Sequence, residues 1–423
     1  MQIIKQISLI VIIVFLIINT AISQTLTSSP YSRYGIGDIA SKGFGRNKSM
    51  GNIGIGLRSP YHLNITNPAS YSSMDSLSFI YEFGISGKQT KYITKDLNYI
   101  NNNVNINYVA IGFPITNFWF SSIGLMPYSS IGYKIKTDSV YQNIGKVENN
   151  YTGNGGINQF YIGNSVKLFK KLSVGINISY LFGALEQINS TTFPDDVNAF
   201  ELYSDKKIKI SDFCFNYGLQ YSDSIKHKYG YTFGLIFDNQ TKINASNSVL
   251  YTNYMYSNEE STLDTINFPD PQKGNILLPV NVGMGVTIYN DKFTFGMDYK
   301  WQNWEKAKFF DSTYSLVNSN YIGFGIEYIP DIKSITNYSD RIRYRIGGHF
   351  NNTYLKIREN QINDYGISLG IGLPLRKTKT TFNIGFEFGT RGTTKSNLIK
   401  ENYGIISLNL TFYDNWFARH KFE

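Results

Sequence analysis

Large apolar side chains alternate with small or polar ones along most of the chain after residue 76. In residues 381–389, Phe382, Ile384, Phe386 and Phe388 fall on one face, and the residues between them are Asn, Gly and Glu. The same two-residue period recurs in 172–183, 293–301 and 365–373. Alternation of this kind is typical of β-strands whose two faces meet different surroundings. The pattern therefore predicts an all-β protein.

About fourteen such segments can be counted, and bacterial membrane barrels have an even number of strands. They lie near residues 77–87, 104–114, 119–133, 157–169, 171–186, 208–222, 228–243, 276–289, 291–302, 319–329, 341–354, 362–374, 380–390 and 402–414.

The connections between these segments alternate in length. Long connections occupy residues 89–103, 134–156, 187–207 and 244–275, and short ones occupy 114–118, 170 and 289–292. In outer-membrane barrels the long loops are extracellular and the short turns are periplasmic. This alternation predicts that both termini are periplasmic. The connection 330–340 is longer than a periplasmic turn should be.

The apolar faces of the four segments named above carry no charged residue, as a surface in contact with lipid requires. A Lys or Arg on such a face costs about 2–4 kcal/mol at the middle of the bilayer. An open sheet edge cannot be hydrated inside the membrane, so the sheet must close on itself. We therefore predict a transmembrane antiparallel β-barrel over residues 77–414, in contact with outer-membrane lipid.

Composition supports this fold class. Aromatic residues make up 16% of the chain and charged residues 17%, with 33 Tyr and 37 Gly. Such aromatic content excludes a disordered chain. The net charge is +9, but the basic residues are scattered and form no recognisable nucleic-acid module, so we expect no nucleic acid. The single cysteine, Cys214, does not decide the compartment.

The N-terminus indicates export. Lys5 precedes the apolar stretch 7–18, and Ala21 and Ser23 provide the small residues of a cleavage site before Gln24. This pattern predicts a secretory signal peptide over residues 1–23. Residues 24–76 lack sustained alternation and are rich in Gly, Ser and Asn. These residues could also be a linker or a disordered tail, but we interpret residues 24–76 as a hatch inside the lumen. Residues 415–423 are expected to be a periplasmic tail.

Three motifs of residues 24–76 carry a resemblance to a known family. They are 29–35 (SPYSRYG), the Gly-rich 50–56 (MGNIGIG) and Asn67-Pro68-Ala69. Their order before the first strand resembles the FadL-type outer-membrane transporters, with which PorV-like proteins are related. The resemblance implies a hatch-plugged barrel of about fourteen strands. It also implies hatch or gating residues at Asn67, Pro68 and Ala69, although an ordinary Asn-Pro turn is the alternative.

The third predicted strand contains Met126, Pro127 and Tyr128. Proline removes a ladder donor and is confined to edges, strand starts and bulges. These residues, together with a change of phase in the preceding strand near Tyr108, could open the wall laterally. A bulge without functional consequence is the alternative.

A set of charged residues is predicted to face inward as a ladder in the lumen. The basic members could attract anionic head groups or pair internally with the acidic members, and we favour internal pairing. The set consists of Arg341, Arg343, Arg345, Glu82, Asp298, Glu327 and Glu387.

The sequence indicates no enzyme, cofactor or metal site. His349 faces inward but has no evident catalytic partner. The resemblance implies passive uptake of hydrophobic small molecules, fatty-acid-like or aromatic, as the function. A PorV-like partner in secretion or surface assembly, binding protein cargo, is the alternative. We expect a monomer in the outer membrane of a Gram-negative cell, inserted there by the barrel-assembly machinery.

Overall fold

The structure is a computed structural model that describes residues 27–196, 199–226, 228–257, 260–267, 269–310, 316–375 and 378–416. The predicted signal peptide 1–23 and most of the predicted tail, residues 417–423, lie outside these ranges.

Fourteen antiparallel strands form the wall in the described part of the chain. The seventh and eighth strands each consist of two segments separated by a short break. The strands are β1 (Ser78–Ile93), β2 (Asn98–Pro114), β3 (Trp119–Ser130), β4 (Gly145–Leu168), β5 (Leu172–Thr192), β6 (Glu201–Ile225), β7 (Tyr229–Asp238 and Lys242–Ser257), β8 (Gln272–Leu277 and Asn281–Tyr289), β9 (Phe293–Gln302), β10 (Ser319–Tyr328), β11 (Arg343–Ile357), β12 (Asn360–Pro374), β13 (Thr381–Arg391) and β14 (Lys400–Asn415).

The sheet closes into a ring. Each strand pairs with its neighbours in sequence, and β1 pairs with β14 from Ser78 opposite Asn415 to Ile93 opposite Lys400. Additional short strands lie at Asp38–Ile39, Tyr133–Tyr141, Glu260–Asn267 and Lys308–Phe309. The predicted fold class, a closed antiparallel barrel of fourteen strands, is confirmed.

The two faces of the wall differ as the alternation predicts. Phe233, Ile367 and Phe388 are 55%, 60% and 61% exposed on the outside. The residues between such positions are buried, as Thr232 and Ser368 are. Exposed apolar rows of this kind suit a surface surrounded by lipid.

Helices in the described ranges are all short, and none has the length and apolar character needed to cross a membrane.

The strands extend further at one end than the alternation predicts. β4 has 24 residues and β6 has 25, so the predicted long loops 134–156 and 187–207 are mostly strand. At this extended end of the wall the outward side chains are polar, as at Lys136 and Glu148. Apolar and polar residues therefore no longer alternate along the strands there. The ladder continues because inward side chains such as Leu185 and Ile208 still pack in a buried cluster.

The described part of the N-terminal region, residues 27–76, is mostly buried and lies against the inward face of the wall. It is held in compact turns by the 3-10 helices Pro30–Arg33 and Pro68–Ser73 and by the short α-helix Gly45–Lys48. We refer to residues 27–76 as the inner segment.

Candidate functional site

A belt of glycines on successive strands allows the inner segment to lie directly against the wall. A Cβ atom added to any of them would come within 3 Å of the inner segment. At Gly175, Gly234, Gly285, Gly325 and Gly347 it would meet backbone atoms, so only glycine allows this close an approach there. Several of these glycines are direct partners across neighbouring strands. The belt comprises Gly175, Gly218, Gly234, Gly285, Gly296, Gly325, Gly347, Gly370 and Gly385.

Asn67, Pro68 and Ala69 lie against this belt and are buried. The Asn67 side-chain oxygen accepts the Ala69 N–H at 3.1 Å and so caps the helix Pro68–Ser73. Its amide nitrogen donates to the wall carbonyls of Leu219 at 3.2 Å and Leu235 at 3.3 Å. One side chain therefore fixes a turn of the inner segment and joins that turn to β6 and β7.

A buried charge cluster connects the inner segment to β10 and β11. The Glu327 carboxylate accepts from Arg46 of the inner segment at 2.7 Å and from Arg345 of β11 at 2.6 Å. Arg345 also donates to the Asn383 side-chain oxygen at 2.7 Å. Charge-assisted hydrogen bonds are stronger than neutral ones, so this cluster is a principal attachment of the inner segment.

His62 of the inner segment borders the same cluster. An Arg343 guanidinium nitrogen donates to its Nε2 at 2.6 Å, which requires that nitrogen to be unprotonated. Burial first, and then the positive charge of Arg343, hold the pKa of His62 well below its usual value. His62 is therefore a neutral acceptor for a buried arginine.

The four remaining predicted charged residues lie at four different places. Asp298 accepts the backbone N–H groups of Gly54 at 2.6 Å and Ile55 at 2.9 Å instead of pairing with an arginine. Glu82 accepts the Leu63 N–H at 3.0 Å.

Glu387 lies apart from the arginines, 3.4 Å from the Tyr403 hydroxyl. Arg341 does not join the cluster, because it lies in the helix Ser339–Arg341 ahead of β11 with its guanidinium over the Tyr338 ring. The structure thus brings Arg343, Arg345 and Glu327 together, with Glu82 beyond His62 at 3.7 Å, and leaves the other three elsewhere.

The wall has a seam between β2 and β3. Their ladder runs only from Val109 opposite Leu125 to Pro114 opposite Phe120, and the described residues contain no further pairing between these two strands. Beyond it, Asp38 and Ile39 of the inner segment pair with Ser130 and Ser129 of β3. The strand Asp38–Ile39 of the inner segment therefore pairs with β3 where β2 no longer does.

Both strands are irregular where the seam begins. The register of β2 shifts between Ile85 and Gly84 of β1, which leaves Asn107 as an extra residue in a bulge. The register of β3 shifts between Pro127 and Ser129, so Tyr128 is extra there. Pro127 has no N–H to donate just beyond the last rung at Leu125, which is a physical reason for the ladder to end there.

A cavity of about 230 Å³ lies at the seam. Ile106 and Pro127 border it on the wall, and Ala40, Lys48 and Glu387 border it from inside.

Arg58 of the inner segment also contacts the wall, because its guanidinium donates to Ser173 of β5 at 3.1 Å and to Gln220 of β6 at 3.2 Å. Sequence reasoning did not find Arg46, Arg58 or His62, which lie in a region without periodicity. Their signal was the presence of charged residues in a segment assigned to the lumen, where a charge needs a partner. The glycine belt was visible as the small residues on one face of each strand, but its function depends on the segment that lies against it.

The closed ring, its apolar exterior and its charged interior define an outer-membrane β-barrel protein of the Gram-negative type. The chain belongs to the BamG family, whose model matches residues 3–423.

Solved structures with the same fold include two toluene transporters. The toluene transporter TodX of Pseudomonas putida aligns with a TM-score of 0.59 at 13% identity, over 90% of this chain and 100% of that chain. The Ralstonia pickettii toluene transporter TbuX aligns with a TM-score of 0.56 at 13% identity, over 88% and 98%. A Pseudomonas aeruginosa FadL homologue gives 0.55 at 9% identity, over 90% and 99%. Among curated proteins, none matches in sequence.

Proposed function

We propose that this protein admits hydrophobic small molecules across the outer membrane and releases them sideways through the seam between β2 and β3. The observation that carries the proposal is the seam itself, with a cavity that reaches from the inner segment to Ile106 and Pro127. The likeness in fold to channels for toluene and other monoaromatic hydrocarbons supports the same class of substrate.

In this proposal the inner segment is the hatch. Asp38 and Ile39 pair with the edge of β3 at the seam, so a molecule that leaves there must displace them. The contact with β3 is short, because it consists of two residue pairs and one hydrogen bond from the Ala40 N–H to the Tyr128 carbonyl at 2.9 Å, and Arg391 of β13 holds the Asp38 carboxylate at 2.8 Å. Asn67, Arg46 and the glycine belt hold the rest of the segment. The gating motion is therefore local release of the strand Asp38–Ile39. The short turns and both termini face the periplasm, as in other barrels of this type.

A reversible lock tests this route. Ile39 and Ser129 are direct partners in the ladder, so their Cβ atoms lie at a separation that a disulfide can bridge. In a strain that depends on the Ile39→Cys/Ser129→Cys variant, oxidation should reduce uptake of labelled toluene or decanoate severalfold, and dithiothreitol should restore it. The control pair Thr232→Cys/Thr287→Cys joins β7 to β8, where no opening is proposed. Equal uptake by the oxidised and reduced seam variants would refute lateral release.

A second candidate function is that of a membrane-embedded partner in the assembly of other outer-membrane proteins. Membership of the BamG family over nearly the whole chain favours it, since that name belongs to the series used for the barrel-assembly machinery. Strands of up to 25 residues also exceed the roughly 9–11 that a span needs, which leaves a raised wall for a partner.

Depletion of the protein distinguishes the two functions. If it serves assembly, depletion should lower the amount of several unrelated folded barrels in the outer membrane, and purification in mild detergent should recover a stoichiometric partner. If it serves uptake alone, those barrels should keep their abundance while hydrocarbon uptake falls. The assembly function is refuted if the protein purifies without a partner and if its depletion changes the abundance of no other barrel protein.

A further inference from the structure

A groove of about 590 Å³ lies in the outward face of the wall, across β10 to β14. Large apolar side chains border it, and Phe324, Ile367 and Phe388 among them are exposed. No acidic residue lies among the described residues that line it, and its one histidine, His349, turns inward toward the Tyr403 hydroxyl at 3.5 Å. The groove has the size of a small-molecule site and opens toward the lipid.

Gly348 leaves the room that the groove occupies. It is the direct ladder partner of Phe324 on β10 and of Ile367 on β12. Its neighbours on the same face of β11 are Ile346 and Phe350, both exposed. A side chain at Gly348 would begin 2.8 Å from the Phe324 ring. A position without a side chain among large apolar neighbours therefore provides a space for a hydrocarbon chain.

The groove ends at the polar boundary of the membrane. Thr390 and Asn402 line this end, where the Thr390 hydroxyl donates to the Asn402 side-chain oxygen at 2.9 Å. β13 begins at Thr381 at the short-turn end, and a span takes about 9–11 residues, so Thr390 lies at the opposite surface of the bilayer. In the proposed orientation, with the short turns in the periplasm, this is the extracellular surface.

Two lysines lie at the same end of the groove. Lys91 is the direct partner of Asn402, and Lys400 follows two residues along on the same face of β14. Such diagonal neighbours are about 7–8 Å apart. Within the described ranges neither lysine has a salt bridge. Glu401 lies between Lys400 and Asn402 in the chain but faces the lumen, where it accepts from the Ser29 hydroxyl at 2.5 Å.

The surroundings of the two lysines do not neutralise them. The turn after β1 contains Lys95 and Asp96, whose charges cancel, and the loop before β14 adds Lys395. The edge of the groove is therefore cationic, whereas its walls are apolar. Lysine binds phosphate as a point charge, and lysines at a membrane surface attract anionic head groups.

We propose that this groove binds a phosphorylated glycolipid of the extracellular leaflet, with an acyl chain against Gly348 and a phosphate held by Lys91 and Lys400. The extracellular leaflet of a Gram-negative outer membrane consists of such lipids, which combine phosphates with several acyl chains. The site requires neither uptake through the seam nor a role in assembly, because it depends only on the outward face of the wall and on the orientation of the barrel.

Native mass spectrometry of the delipidated full-length mature protein in micelles tests the site with three probes. They are bisphosphorylated lipid A, the same lipid after removal of both phosphates, and phosphatidylglycerol. We expect lipid A to bind about tenfold more tightly than either other probe, the size of one charge-assisted hydrogen bond. Raising the salt concentration should weaken the binding of lipid A.

Variants assign the binding to this groove. Gly348→Leu fills the apolar part, and the double variant Lys91→Gln/Lys400→Gln removes the charges, so each should weaken the binding of lipid A about tenfold. Gly87→Leu adds the same side chain where a Cβ meets nothing within 4 Å, and Lys209→Gln removes an exposed charge from β6. Both controls should bind lipid A as the native protein does.

Heat-dependent mobility in electrophoresis checks that each variant is folded. Because Gly348→Leu must displace the Phe324 ring, the double lysine variant, which changes only surface side chains, keeps the test decisive if Gly348→Leu does not fold.

Weaker binding by the groove and lysine variants, with both controls at native affinity, supports the site. Equal affinity for lipid A and its dephosphorylated form overturns the proposal, and so does equal affinity for phosphatidylglycerol. A folded Gly348→Leu or double lysine variant with full affinity overturns it as well. None of these results alters the uptake or depletion experiments, so the site can fail without either function failing.

Discussion

Single wall residues determine how closely the inner segment can approach. Gly234 is the sharpest case, because a Cβ there would press on the Ile55 carbonyl oxygen, which is backbone and cannot rotate away. Gly234→Ala should therefore displace residues 53–57, at a cost of about 1–3 kcal/mol. Faster hydrogen–deuterium exchange in those residues would record the displacement.

Gly87 provides the matched control, since a Cβ at that position meets nothing within 4 Å. Gly87→Ala should leave exchange in residues 53–57 unchanged. Equal exchange in both variants would mean that the belt does not position the segment.

Glu327 is the residue on which the charge cluster depends. Glu327→Gln leaves the buried Arg46 and Arg345 without their carboxylate, and removal of one partner from a buried pair costs about 3–5 kcal/mol. Unfolding by denaturant in micelles should show this loss. Glu359→Gln breaks an exposed pair with Lys356 and should have no measurable effect.

At the scale of elements, the turn around His62 should respond to pH. Its pKa is lowered in the folded protein, so the attachment is complete above the unfolded value of about 6.5 and weakens as pH falls below it. Protonation would place a cation against Arg343. The other charged groups that face His62 are Arg46, Arg345, Glu82 and Glu327.

Hydrogen–deuterium exchange of residues 59–66 at pH 7.5 and 5.5, corrected for the intrinsic rate, measures this response. Protection should fall at the lower pH in the native protein and stay constant in His62→Gln, whose side-chain oxygen can still accept from Arg343. Unchanged protection in the native protein would contradict the neutral state of His62.

The strand boundaries indicate what the sequence could predict. At the short-turn end, the apolar outward face and the turn residues both mark where a strand begins. The strands predicted to start at residues 171 and 380 begin at Leu172 and Thr381. At the other end the predicted start at 157 compares with Gly145. The outward face is hydrated there, so alternation no longer reports the strand, and only inward packing maintains it.

The candidate site could be predicted only where its residues belong to regularly alternating strands. Alternation placed Arg343, Arg345 and Glu327 on the inward face because they belong to regular strands. It could not assign Arg46 or His62, since their positions are determined by turns and by contacts with distant strands. Arg341 was predicted from strand parity, but it lies before the strand begins.

At the scale of the whole molecule, the inner segment should decide whether the barrel conducts ions. A ring of fourteen strands lies between small barrels filled by side chains and sixteen-stranded barrels with an aqueous channel. Removal of residues 27–74 should therefore convert a closed barrel into one with large, steady conductance in planar bilayers. Shortening the hairpin of Lys242–Ser257 and Glu260–Asn267 at the far end of the wall should leave it closed. A native protein that conducts as strongly as the deletion would contradict the hatch.

Closure of the ring also imposes an order on folding. The segment inside the barrel directly precedes β1, and the pairing that completes the circle joins β1 to β14, the last strand in the described part of the chain. A segment that carries Arg46 and Arg58 would have to be threaded through a finished cylinder if it entered late. We expect the inner segment to bind to a curved, still open sheet, so that the barrel encloses this segment when β14 pairs with β1.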